Sequence, residues 1–196
     1  MEPKFEFSKQ FIKKLDINLN TFTYIEYEIE EKMIDNKTEV YFREKDSKKK
    51  QFKEELRRNM VLLIDTNVII DVAIKRTPFY ENSKKIFDYC SSKRVNGIIA
   101  AHSITNLWYI MRKQYTTEQR RKFVSALFDY FEIFSLNKDK LLAAIQRDNF
   151  SDFEDCLQDE CAAAVHADFI ITRNTNDFKN SKIKALLPEE VLKILF

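Results

Sequence analysis

Residues 61–71 read Val-Leu-Leu-Ile-Asp-Thr-Asn-Val-Ile-Ile-Asp. Four apolar residues run directly into a carboxylate, a hydroxyl and an amide, and then apolar residues resume. A short unbroken apolar run predicts a strand buried on both faces, as in a parallel sheet. Ligands of an open α/β sheet collect beyond the carboxyl ends of its strands, and Asp65 stands at such an end. Two readings stay open at this point: Asp65 belongs to a chemical site, or Asp65 or Thr66 caps the helix that follows.

Outward from this stretch the pattern alternates. The periodicity predicts helices near 67–74, 79–93, 103–113 (with Ser103 as cap), 117–130, 138–147 and 153–166, and strands over 61–65, 96–100, 131–136 and 167–172. The run Cys161-Ala-Ala-Ala-Val165 would let a neighbour approach one helix closely, and a last short strand or helix is expected after Pro188. This order implies an α/β fold, a central parallel sheet with helices on both sides. Residues 1–59 differ. They predict a short helix at 7–15, an alternating strand at 21–30, a turn at Asp35-Asn36-Lys37-Thr38 and a returning strand at 39–43. A charged helix follows at 43–58, whose basic residues read either as a plain connector or as a strip for RNA or an acidic partner. The chain thus divides into an N-terminal hairpin and helix extension (1–59) and a main domain (60–196).

Composition removes several classes of function. The net charge of +2, from 33 basic and 31 acidic residues, argues against a wholly basic nucleic-acid binder, so any such surface is local. The single glycine, Gly97, excludes glycine-rich phosphate loops. Cys90, Cys156 and Cys161, with only His102 and His166, match no common zinc spacing and read as buried free thiols. No signal-peptide core follows Met1, and no stretch approaches the ~20 apolar residues of a membrane span. The expectation is a soluble cytoplasmic protein with no membrane partner.

Four places carry candidate chemistry. Asp65 has Thr66 and Asn67 beside it. Asp152, Glu154 and Asp155 crowd the first turn of a helix. Ser151 and Glu154 can form a capping box there, but capping does not require two further acids, whose repulsion a divalent cation would relieve. After the last main strand comes Thr172-Arg173-Asn174-Thr175-Asn176-Asp177-Phe178, either an ordinary turn or a source of Asp177 or Asn174 to a metal site. Here Thr172 and Arg173 would face a phosphate. Ser103-Ile-Thr-Asn106 opens the helix after the second strand, and Asn106 could orient a water.

Taken together, these motifs resemble the PIN domain family, the nuclease domains of VapC-type toxins. The likeness spans about residues 60–196 and rests on Asp65-Thr-Asn67, Asp152-Phe-Glu-Asp155 and Ile171-Thr-Arg-Asn-Thr-Asn-Asp-Phe178, in family order. The resemblance implies a three-layer α/β/α fold and a metal-dependent endoribonuclease. It further implies Mg²⁺ or Mn²⁺ held by Asp65, Asp155, Asp152 and Asp177, with Thr66, Asn67, Ser103, Thr172, Arg173 and Asn174 supporting the site or its substrate. RNA as substrate, an antitoxin partner and a homodimer are implied likewise. The chain departs from the family pattern at Asn106, where an acid is usual, which leaves a non-catalytic RNA- or protein-binding module as the alternative. A phosphatase of the haloacid dehalogenase type would want an acid at position 67, where this chain has Asn67. The cationic groups Arg112, Lys113, Arg120, Arg121 and Lys122 read as either a substrate strip or an exposed helix face.

Overall fold

The computed structural model describes residues 27–34, 37–44, 54–55, 57–150 and 152–195. The helix expected at 7–15, the first part of the strand expected at 21–30, most of the charged helix and Ser151 lie outside the described residues. The chain forms two compact units, Met1–Arg57 and Arg58–Phe196. In the first, β1 (Tyr27–Ile34) and β2 (Lys37–Glu44) pair antiparallel, from Tyr27 opposite Glu44 to Ile34 opposite Lys37. The hairpin was expected, but its paired region runs closer to the turn than the alternation suggested. Only Asp35 and Asn36 separate the paired ends, and a two-residue loop fixes register more strongly than a loose hydrophobic alternation does.

The second unit holds a five-stranded parallel sheet of order β5–β4–β3–β6–β7. Its strands are β3 (Val61–Ile64), β4 (Asn96–Ala100), β5 (Glu132–Phe134), β6 (Phe169–Ile171) and β7 (Ala185–Leu186). The helices are α1 (Thr66–Ala73), α2 (Tyr80–Ser91), α3 (Ala101–Met111), α4 (Thr117–Tyr130), α5 (Lys138–Ile145), α6 (Phe153–Ala164) and α7 (Pro188–Leu195). Successive crossovers carry the chain outward from β3 to β4 and β5. The chain then returns through α5 and α6 to the opposite side of β3, where β6 and β7 lie. The order therefore reverses between β3 and β6, and open α/β sheets bind their ligands beyond the strand ends at such a point. The strand β7 was not read from sequence; two residues carry no periodicity. Pro188 opens α7, where its fixed φ suits the first helical turn.

All four residues of β3 are buried, as the apolar run requires. Val61 and Leu63 join Ile98, Ala100 and Ile170 on the face packed against Cys161 and Ala162 of α6. Leu62, Ile64, Ile99 and Ile171 alternate with them and are also fully buried. Small side chains at 161 and 162 let α6 settle close to the sheet. Gly97 allows a second close approach: a Cβ there would stand 2.7 Å from both Cys90 Sγ and the Phe131 ring. Cys90, Cys156 and Cys161 are buried free thiols, and burial pushes those of Cys90 and Cys161 up to about 12. Among the described residues no helix is long and apolar enough to cross a membrane.

Candidate active site

Asp65 lies one residue past β3. Its backbone N–H donates to the Ile171 carbonyl at 3.0 Å, stitching the end of β3 to the end of β6. It occupies the N-cap position of α1, yet its side chain makes no capping hydrogen bond. The carboxylate turns the other way. Oδ2 accepts from Thr172 Oγ1 at 2.6 Å and from Asn67 Nδ2 at 2.5 Å, while Oδ1 accepts from Gln158 Nε2 at 3.2 Å. Of the two readings of Asp65, capping of α1 is the one its side chain does not make.

The loop after β6 is built around the same group. Asn67 Nδ2 also reaches Thr172 Oγ1 at 2.9 Å, and Asn67 Oδ1 accepts from the Arg173 backbone N–H at 3.1 Å. The Asn174 N–H donates to Thr172 Oγ1 at 3.0 Å. Thr172, fully buried, thus directs its hydroxyl at Asp65 rather than at open solvent. The Arg173 guanidinium is engaged within the fold as well. Its Nε lies 3.0 Å from Asp71 Oδ2, and its plane sits 4.6 Å from the centre of the Phe79 ring. The Nε contact is a charge pair without hydrogen-bond alignment. Asp71 is fully buried on α1 and also accepts from Ser83 Oγ at 3.2 Å. Arg173 therefore ties the loop carrying Asn174 and Asp177 down to α1 and α2.

Asp152 opens α6 as its N-cap, Oδ1 accepting from the N–H groups of Glu154 and Asp155 at 2.7 and 3.4 Å. Of the expected capping pair, Ser151 lies outside the described residues; the Glu154 backbone is capped by Asp152, and its side chain leaves the helix. Glu154 Oε1 accepts from Thr66 Oγ1 at 3.0 Å, beside Asp65. Ser103 is likewise not a cap. The helix α3 begins two residues earlier, at Ala101, and the buried Ser103 hydroxyl accepts from Gln158 Nε2 at 3.0 Å. Asn106 lies half-buried one turn further along the Ser103 face of α3.

The electrostatics tie these elements together. Burial is the main cause that raises the Asp65 carboxyl to about 6; Glu154 adds to it, and the Thr172 hydrogen bond opposes it. Asp155 rises to about 7, first through burial and then through the charges of Asp65, Asp152, Asp177 and Glu154. Carboxylates from three separated segments therefore act on one another at the carboxyl end of the sheet. The donor set consists of hard oxygens, the kind that suits Mg²⁺ or Mn²⁺. The buried Gln158 Oε1 belongs to the same cluster and meets no donor from the protein. The spacing is looser than the chemistry. Among the described residues no three Asp, Glu, His or Cys side chains are placed to hold an ion as they stand. Asp155 is half-buried and Asp177 exposed.

Gln158 was missed from sequence. Its signal was present: it lies three residues after Asp155 and so shares that residue's helical face. The basic cluster of α3 and α4 is partly spent within the chain. Arg112 stacks 3.7 Å from the Tyr109 ring centre and Arg120 lies 4.4 Å from that of Trp108.

With this geometry in place, comparison with known families is decisive. A family model for the PIN domain matches residues 61–176, more than half of the chain. The protein belongs to the PIN domain family. Solved structures agree on the fold. VapBC from Salmonella typhimurium, crystallised bound to DNA, aligns with a TM-score of 0.53 at 17% identity, covering 66% of this chain and 98% of that one. A toxin–antitoxin complex from Klebsiella pneumoniae gives 0.51 at 21% identity, over 65% and 97% of the two chains. VapBC2 from Rickettsia felis, bound to a DNA fragment from its promoter, gives 0.51 at 18%, over 65% and 98%. Curated protein sequences give no match.

Proposed function

We propose that this PIN domain protein is a metal-dependent endoribonuclease of the toxin–antitoxin type. The observation that carries the reading is the gathering of four carboxylates around the half-buried Asp155, whose carboxyl is raised to about 7 first by burial and then by those charges. Such repulsion is an energetic cost to the empty site that a divalent cation turns into binding energy. Asp65 and Asp155 would hold Mg²⁺ or Mn²⁺, with Asp152 and Asp177 completing the negative field. A bound ion there would supply Lewis acidity to the scissile phosphate and ionise a water at neutral pH.

The chain's own groups do the rest. Thr172 and Asn67 hold Asp65 Oδ2, so the carboxylate cannot swing freely. Thr66 directs its proton to Glu154, and Arg173, through Asp71, holds the loop that brings Asp177 near. Asn106 would orient water or substrate by hydrogen bonding. The similarity to toxin–antitoxin complexes supports an antitoxin partner, and a homodimer and a cytoplasmic location belong to the same reading.

The test is cleavage of single-stranded RNA by the full chain with Mn²⁺, with and without a chelator. The expected result is Mn²⁺-dependent cleavage that Asp65→Asn abolishes while the far-ultraviolet dichroism is unchanged. Cleavage that survives chelator or Asp65→Asn would remove the metal role. The neutral Asn106 and the loose carboxylate spacing favour a second reading, a PIN scaffold that binds RNA or protein without cutting. Calorimetric titration separates the two, because a scaffold of that kind takes up RNA but not Mn²⁺.

A further inference from the structure

The amide of Gln158 lies where three elements of the site meet. It is fully buried on α6, and its Nε2 stands 3.2 Å from Asp65 Oδ1, 3.3 Å from Thr66 Oγ1 and 3.0 Å from Ser103 Oγ. We propose that Gln158 is a positioning residue that fixes the orientation of the Asp65 carboxylate at the reaction centre, an inference that rests on the nuclease reading above.

The argument is one of hydrogen-bond capacity. A carboxylate oxygen offers about two lone pairs in its plane. Thr172 and Asn67 fill Oδ2. Gln158 takes one position on Oδ1. Twisting the carboxylate would break bonds on both oxygens at once, so Gln158 works against Thr172 and Asn67 as the other side of a clamp. The nitrogen end of the amide must face Asp65, since its oxygen would repel an ionised carboxylate. Ser103 anchors the amide to α3. The two Nε2 hydrogens are shared among Asp65 Oδ1, Ser103 Oγ and Thr66 Oγ1, and Thr66 can accept its share because its own proton goes to Glu154.

The test compares three full-length proteins: the wild type, Gln158→Met, which removes the donor at similar length, and Leu157→Ala. Leu157 is a buried neighbour on α6 that packs against Ala144 and Cys156, outside the site. Thermal midpoint, Mn²⁺ affinity by electron paramagnetic resonance, kcat and KM for RNA, and a metal-free crystal structure are measured for each. Outer partners of metal ligands commonly change affinity by about 10–100-fold. Gln158→Met is expected to weaken Mn²⁺ binding within that range, to lower kcat with little change in KM, and to leave the Asp65 carboxylate rotated or in two conformers. Leu157→Ala is expected to lower the midpoint and leave Mn²⁺ affinity unchanged. Gln158→Met with wild-type Mn²⁺ affinity, or with Asp65 in its original orientation, overturns the proposal. Should the wild type itself take up no Mn²⁺, the nuclease reading falls, and the Asp65 orientation in the metal-free Gln158→Met crystal decides the positioning role alone.

Discussion

Asp155→Asn should make the metal-free protein more stable while destroying its Mn²⁺-dependent activity. The carboxyl of Asp155 rises from 3.8 to about 7 because burial and four neighbouring acids disfavour its charge. A carboxyl raised in the fold stays protonated there while the unfolded chain ionises. Folding stability is therefore lost as pH climbs from 3.8 to about 7, and the full penalty applies above that. The difference, at about 1.4 kcal/mol per tenfold step, amounts to about 4 kcal/mol. Asp155 is only half-buried, so solvent screening takes roughly half of this, leaving about 2 kcal/mol. An amide of the same shape carries no charge and escapes the penalty. At roughly 2–4 °C per kcal/mol for a chain of this size, the midpoint of Asp155→Asn should exceed the wild type by about 4–8 °C at pH 8. The gain should shrink as pH falls below 7 and vanish near pH 4.

The assay is a thermal melt of wild type and variant with chelator present, repeated from pH 4 to pH 8. Adding Mn²⁺ should raise the wild-type midpoint clearly more than that of Asp155→Asn, which has lost one of the two carboxylates proposed to hold the ion. A variant that melts at or below the wild type at pH 8 would mean that the carboxylates do not repel one another. The convergence of Asp65, Asp152, Asp155 and Asp177 would then fail as an account of the site.

Other substitutions test the frame that holds these groups. Arg173→Met leaves the Asp71 carboxylate fully buried with Arg76, 3.9 Å away, as its remaining counter-charge among the described residues; a loss of about 3 kcal/mol in urea denaturation is expected, whereas an arginine reserved for phosphate would cost little stability. Gly97→Ala drives a methyl group to 2.7 Å from Cys90 Sγ and the Phe131 ring, and should cost about 1–3 kcal/mol by the same assay. Arg147→Met removes the partner that Asp159 and Glu160 hold at 2.5 and 3.0 Å ahead of α6. It should raise hydrogen exchange across residues 147–152 and 179–183, and unchanged exchange would count against a latch there.

The sequence revealed the fold because its decisive signals are local. An apolar run such as Val61–Ile64 has few alternatives, and a parallel sheet follows from alternating strands and helices. The hairpin was legible for the same reason, though its register waited on the loop. The acids were also legible as candidates, since Asp65, Asp155 and Asp177 each follow or open an element at the carboxyl end of the sheet. What sequence could not supply was direction. Whether Glu154 bends back to its own helix or across to Thr66 depends on how close α6 lies to β3, and that distance is set by Cys161 and Ala162 packing on the sheet. Ser103 was misread as a cap for a similar reason: the helix could start at Ala101 once Ala100 ended the strand, which freed the hydroxyl for Gln158.

Arg173 illustrates the general difficulty. A cation beside a candidate nuclease site invites a phosphate, but a cation is equally demanded by any buried carboxylate, and Asp71 six residues after Asp65 is such a group. Coulomb attraction across 3.0 Å inside the fold outweighs attraction to a solvated ligand, so the nearest buried acid claims the arginine first. The same ordering governs the acids. Asp152 has two backbone N–H donors within reach and is partly satisfied without a metal, whereas Asp155 has burial and like charges acting on it and, among the described residues, no cation that offsets them. Of the two, Asp155 therefore gains more from a cation, and Asp152→Asn should reduce Mn²⁺ affinity less than Asp155→Asn does.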